Sequence, residues 1–169
     1  MRVPARRAIL LAALLVAAAA GAAAFLLSVE EERLLVVSSA EGRALAEIDL
    51  PDGRFDHVFT HSFHLTPVRE RFRVEADGSG GATLRLYELR YSSLGVGMPE
   101  DAELGYCLEG GQFVLAMDRR FGRIPLLISI LEGHGVEIGG KLRPFAEWAA
   151  PKRGLVLSGK IAKVLRLRR

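Results

Sequence analysis

Cysteine is all but missing from this chain of 169 residues, where Cys107 stands alone. One thiol closes no internal disulfide, so the fold must rest on its apolar core; about 140 residues are enough to bury one. With no C-x-x-C beside it, Cys107 reads as a small buried hydrophobe rather than a redox centre. No G-x-S-x-G elbow is present, which removes that setting for a nucleophilic serine. No GK[ST] follows a glycine-rich loop, which removes the P-loop. The chain has no internal repeat and no long amphipathic helix, which leaves strands as its regular structure.

Charge is absent from Ala8 to Leu27, a run that follows Arg2, Arg6 and Arg7 and precedes Glu30, Glu31 and Glu32. A basic start and an apolar stretch with small residues describe a signal peptide. Twenty apolar residues at about 1.5 Å each also just span a bilayer. Residues 1–27 are therefore expected to form an apolar helix, either a cleaved signal or a membrane anchor. Residues 28–169 would be an exported domain, periplasmic or at the cell surface. That domain carries 20 acidic and 20 basic residues, a balance that argues against nucleic acid as a partner. Residues 152–169 hold seven Lys or Arg and no acid. They read as a solvated edge strand, or as a surface for anionic lipid or an acidic partner.

From residue 33 onward, short runs of period 2 alternate with turn residues. "RLLVVS" (33–38) and "ALAEIDL" (44–50) form a hairpin pattern; "PDG" (51–53) is a turn; "RFDHVFTHSF", "PVRERFRVEA" (67–76) and "ATLRLYELRY" (82–91) read as strands. "QFVLAMD" (112–118) and "IPLLISILE" (124–132) follow, the second apolar on both faces and so expected to be central. "GHGVEIGGK" reads as a turn region, 142–151 as a short helical turn, and 154–169 as a closing hairpin around Ser158 and Gly159. The expectation is an all-β domain, an antiparallel sandwich or small barrel of about eight or nine strands.

Three of the four histidines, His57, His61 and His64, fall close together. His57 and His61 share a strand face but stand about 13 Å apart, too far to converge on a zinc ion with bonds of about 2 Å. His61 and His64 face opposite ways on a continuous strand. No metal or other cofactor is expected. In the next strand Val68, Glu70, Phe72 and Val74 share one face and Arg69, Arg71 and Arg73 the other. The arginines are the wet face, so Glu70 is an acid set into an apolar row and needs a partner. A hairpin centred near His64 brings His61 opposite Val68 or Glu70. A His61–Glu70 pair is expected, either as a satisfied pair within the core or as the wall of a binding cavity.

"HSFHLTPVRE" (61–70) followed by "ELRYSSLGVGMPED" (88–101) resembles a bacterial and archaeal family of small exported proteins, the domain-of-unknown-function family numbered eighteen-fifty. The matching positions are His61, Ser62, Thr66, Pro67, Val68 and Glu70, then Tyr91, Ser93, Gly95, Gly97 and Pro99; Val96 stands where alanine is usual. The resemblance implies a setting beside TRAP-type solute transporters of the class with fused membrane subunits, and it implies no activity. The loop after Tyr91 has free backbone N–H groups that can cup an anion, or it is a turn that needs positive φ. The expected ligand or partner site is His61, Ser62, Thr66, Glu70, Arg90, Tyr91, Ser93, Gly95 and Gly97, with no catalytic residue. The leading expectation is a non-enzymatic accessory or binding protein for small organic acids at the extracytoplasmic membrane face. The alternatives are an assembly factor docking on a permease or on lipid through its basic end, and a serine hydrolase using Ser62, Ser92 or Ser93 with His57, His61 or His64.

Overall fold

Between Pro67 and Ala76 the buried side chains are Val68, Phe72 and Val74, and the three arginines between them are partly exposed. The same alternation buries Leu35 and Val37, Phe55 and His57, and Leu155 and Leu157. Each such strand has one apolar face, and two layers of them close on each other. The computed structural model describes Ala13, residues 27–92 and residues 105–167.

Among the described residues there are eleven strands: β1 (Leu27–Ser39), β2 (Ala44–Asp49), β3 (Arg54–Thr60), β4 (Pro67–Ala76), β5 (Ala82–Tyr91), β6 (Tyr106–Glu109), β7 (Gln112–Phe121), β8 (Arg123–Leu127), β9 (Gly135–Ile138), β10 (Lys141–Pro144) and β11 (Gly154–Leu167). A 3-10 turn, Phe145–Glu147, follows β10. One sheet has the order β2-β1-β11-β8, the other β10-β9-β3-β4-β5-β7-β6. Both are antiparallel and have free edges, so the sandwich holds and the barrel does not. Leu35, Val37, Leu155 and Leu157 of the first sheet join Phe55, Phe72, Leu84 and Leu115 of the second in one buried cluster.

Residues 32–162 make one compact unit, and the core and sites described below lie in it. The second unit comprises residues up to 31 and from 163 onward; in it Arg166 Nε lies 3.6 Å from Glu30 Oε2. The expected N-terminal helix falls outside the described residues, apart from Ala13. Among the described residues no helix is long and apolar enough to cross a membrane.

The hairpin of β1 and β2, the turn at 51–53, and the bounds of β4 and β5 match the sequence pattern. Five expectations do not hold. The apolar run 124–132 is strand only to Leu127, and β8 is an edge strand. Pro125, opposite Val156, has no N–H to offer a further neighbour, which suits an edge. The basic segment is not an edge along its whole length, because Gly154–Ser158 of β11 pairs with β8; Lys160, Lys163 and Arg166 lie past that pairing. Nor does it turn at Ser158 and Gly159: a Cβ at Gly159 would lie 3.0 Å from Val74 Cγ1 and 3.2 Å from Ala82 Cβ. The glycine lets the two sheets approach rather than the chain reverse. Cys107 is exposed, on β6 at the outer edge of the larger sheet. The segment 133–141 is a turn only in part; it contains β9 and a two-glycine reversal into β10.

Gly135 is pinned by β10. A Cβ there would sit 2.3 Å from the Arg143 carbonyl oxygen and 2.9 Å from Pro144 Cα, and neither backbone atom can swing aside. Gly135→Ala is expected to lower the unfolding free energy by about 2–3 kcal/mol, read as a lower urea midpoint.

Candidate functional site

β3 points Phe55, His57 and Phe59 toward the core side, as alternation requires. Its register with β4 pairs Thr60 with Pro67 and His57 with Glu70. The acid in the apolar row therefore meets His57, and the expected His61–Glu70 pair does not form. His57 Nδ1 lies 2.8 Å from Glu70 Oε2. The partners on β3 of Val68 and Glu70, Phe59 and His57, stand two and four residues before His61. An even offset preserves which face is inward but changes the partner.

The fourth histidine completes the site. His134 Nε2 is 3.0 Å from His57 Nε2, and His134 Nδ1 accepts the Ser129 backbone N–H at 2.8 Å. Both histidines are buried. The backbone donor decides every proton along this line. Because Ser129 N–H occupies the lone pair on Nδ1, neutral His134 carries its proton on Nε2 and donates to His57 Nε2. His57 then carries its own proton on Nδ1 and donates to the Glu70 carboxylate. Burial, and then the neighbouring His57, push His134 down to about 4 from an ordinary value of 6.5.

Aromatic rings enclose the pair. Phe145 meets His134 edge-on at 4.8 Å between centroids, and Phe59 lies 5.2 Å from His57. Gly133 adopts φ +81°, a left-handed conformation that suits glycine, and Gly135 packs on β10. His134 is thus held between two backbone constraints. Its carbonyl accepts the Phe145 N–H at 3.0 Å, and the Thr60 hydroxyl donates to the Glu132 carbonyl at 2.9 Å, which ties the end of β3 to the His134 loop.

The imidazole pair floors an open cleft of about 420 Å³, walled by Phe59, Leu126 and Leu127 and edged by Thr60, His61, Ser62 and Ser129. No Asp, Glu, Lys or Arg lines it. The motif residues His61 and Ser62 therefore line the same cleft as His57, from the turn that follows β3. In that turn His61 Nδ1 accepts the N–H groups of Phe63 and His64, each at 3.3 Å, so neutral His61 has its proton on Nε2. His61 N–H donates to the Thr66 carbonyl and Leu65 N–H to the His61 carbonyl, both at 2.8 Å. Leu65 sits at φ 54° with its side chain exposed, a left-handed position that costs a leucine on the order of 1 kcal/mol.

Ser129 N–H pointing at Nδ1 leaves His134 Nε2 protonated, so the facing nitrogens cannot share a metal ion without rupture of that backbone bond. Among the described residues no group of three or more His, Cys, Asp or Glu has metal-holding geometry, and no serine hydroxyl hydrogen-bonds an imidazole.

Thr66 is exposed. Tyr91 is buried on the core side, stacked on Phe113 at 5.6 Å. Arg90 is on the opposite face of the sheet from Glu70, bonded to Glu88 and 2.9 Å from Glu109. It closes a lattice in which Arg69 bridges Asp56 at 2.7 Å and Glu137 at 2.9 Å, and Arg71 reaches Asp56 and Glu88. The Arg69 hydrogen bond holds Glu137 below the ordinary carboxylate range. Ser93, Gly95 and Gly97, and with them the expected anion-cupping loop, lie outside the described residues. Sequence reasoning passed over His134 and Ser129. The one available signal was a histidine between two glycines, a spacing that suits a side chain fixed by its backbone.

The model of a family described as a domain of unknown function, DUF1850, matches residues 55–145. Glu70, His57, His134 and Ser129 all fall within that span. No curated protein and no solved structure matches the chain.

The depressed His134 makes stability depend on pH. Its folded value, about 4, lies below the unfolded 6.5, so between those values the unfolded chain binds the proton that the folded chain refuses. Stability from this group is complete above pH 6.5 and falls as pH drops toward 4. The loss is expected to be on the order of 3 kcal/mol. Urea titrations at pH 7 and pH 4 should show it in the native protein and not in His134→Gln, which keeps a donor but has no proton to gain.

Proposed function

Because the chain belongs to the DUF1850 family, whose model covers more than half of it, we propose a function for the family's own segment: non-enzymatic binding of a small organic acid, as an accessory protein of a TRAP-type solute uptake system at the extracytoplasmic face of the membrane. The observation that carries the binding reading is the acid-free cleft over the imidazole pair. His61 Nε2–H and the hydroxyls of Ser62 and Ser129 supply hydrogen-bond donors there, and no carboxylate in the lining competes for them. Phe59, Leu126 and Leu127 offer an apolar wall for the carbon skeleton. Apolar walls with a few fixed donors are the usual build of a small-molecule site. Ser129 Oγ accepts the Leu131 N–H at 3.0 Å, which leaves its own proton to donate.

The two motifs, with their resemblance to exported proteins encoded beside TRAP-type transporters, support the transport setting. Export is supported by the three leader arginines and the uncharged stretch from Ala8 to Leu27.

A series of small carboxylic acids, from acetate to phenylacetate, titrated into the isotope-labelled full chain, tests the binding step. The expected result is saturable shifts at His61, Ser62 and Ser129, with affinity about tenfold weaker in Ser62→Ala and an unchanged melting temperature. A deletion strain should lose uptake of the acid that binds best. Absence of any acid-dependent shift at the cleft rejects the ligand class, and normal uptake in the deletion strain rejects the transport role.

A further inference from the structure

The turn between β1 and β2 abuts the turn that enters β11. A Cβ at Gly154 would lie 3.1 Å from Ala40 Cβ, so a glycine there eases their approach. The first turn is closed by Ser39 N–H to the Arg43 carbonyl at 2.8 Å and by Gly42 N–H to the Ser39 carbonyl at 2.9 Å. In the second, Arg153 N–H reaches the Ala150 carbonyl at 3.2 Å and Lys152 N–H the Ile128 carbonyl at 2.9 Å. Both turns are thus fixed by their own backbones. A recess of about 240 Å³ opens where they meet. Its charged and polar lining is Ser39, Glu41, Arg43, Lys152 and Arg153, with Trp148 as its aromatic side.

The three cations of this lining are exposed, and none of them forms an ion pair with another described residue. Elsewhere on the surface the arginines behave differently: Arg69, Arg71 and Arg90 are each bridged to a carboxylate. Glu41 is the one acid in the recess. A hydrogen bond from Ser39 holds its carboxyl below the ordinary range, and the charges of Arg153 and Arg43 add to the effect. Both arginines therefore act on the same point without closing on it. Lys152 adopts φ 66°, a left-handed conformation that disfavours any residue with a Cβ. A glycine would suit that turn better, and strained positions of this kind gather at ligand sites.

We propose that the recess between these two turns binds a phosphate group, either free or borne by a lipid headgroup. Three cationic side chains and one carboxylate leave two positive charges for the occupant. A phosphate monoester carries a charge of about −1.5 to −2 at pH 7, whereas a monocarboxylate would answer only one of the two. The planar guanidinium groups of Arg43 and Arg153 suit phosphate oxygens, and the Lys152 ammonium adds a point charge. The recess shares no lining residue with the histidine cleft, and the proposal stands whether or not that cleft binds an acid.

The test uses the full chain in a non-ionic detergent at pH 7 and constant ionic strength, with inorganic phosphate or short-chain phosphatidate as the probe against a chloride reference. Trp148 is the only tryptophan of the chain, so its fluorescence reports from the recess itself. A saturable change is expected, with the dissociation constant about tenfold weaker in Arg153→Gln and smaller in Glu41→Gln, which removes the one repelling charge. Lys152→Gly relieves the left-handed position, so it should melt no lower than the native chain while binding phosphate more weakly. A response to inorganic phosphate assigns the site to free phosphate or its monoesters; a response to phosphatidate alone assigns it to a headgroup. No saturable response to either probe overturns the proposal, as does binding of equal strength by the native protein, Arg153→Gln and Lys152→Gly.

Discussion

A single backbone amide, the N–H of Ser129, sets the chemistry of the buried centre. By occupying Nδ1 of His134 it leaves only one proton arrangement from there to the carboxylate of Glu70, three hydrogen bonds away. A charge on either imidazole would turn two N–H groups against each other, so the pair is neutral for as long as the chain of bonds is intact. The acid at its end is a hydrogen-bond acceptor and orients His57; two uncharged rings are far cheaper to enclose between Phe59 and Phe145 than an imidazolium would be.

That centre depends on long-range order. Glu70 and His57 come from one hairpin, whereas His134 enters from β9, which pairs with β3 on its other side. Ser129 comes from the segment after β8, in the other sheet. The packed sandwich brings both sheets to one polar line, and the line in turn gives the cleft its floor. On the reverse side of the larger sheet, the charges of Asp56, Glu88, Glu137, Arg69, Arg71 and Arg90 neutralise one another in a partly buried lattice. Glu70 and Arg71 are adjacent in sequence and serve opposite surfaces of that sheet.

Much of this was legible in the residues, and the reasons for the rest are physical. Period 2 gave the class, the bounds of β4 and β5, and the inward direction of Glu70 among Val68, Phe72 and Val74. Alternation carries parity but not offset, so it could not choose between His57 and His61 as the partner; hydrogen bonds closing the 61–66 turn made that choice. Apolar content misleads as a measure of centrality in β8, which Pro125 suits to an edge, and Gly159 marks a close approach of the two sheets, not a reversal of β11. His134 was hidden for a different reason: its role depends on the Ser129 amide and on close backbone approach at Gly135, neither of which leaves a pattern in the side chains.

The bulge at Tyr87 remains. In β5 the buried residues run Leu84 and Leu86, then Leu89 and Tyr91, and the pairing with β4 skips Tyr87 between Leu86 and Glu88. That extra residue reverses the phase of alternation halfway along the strand. It acts as a boundary between two territories on the exterior: the self-neutralised lattice around Glu88 and Arg90 on one side, and the in-register row of Arg54, Arg73, Arg85 and Arg120 on the other. Removal of one residue at the boundary would exchange inside for outside in only one territory. The two halves of β5 can therefore change their exterior chemistry independently, while both continue to present apolar side chains to the same interior.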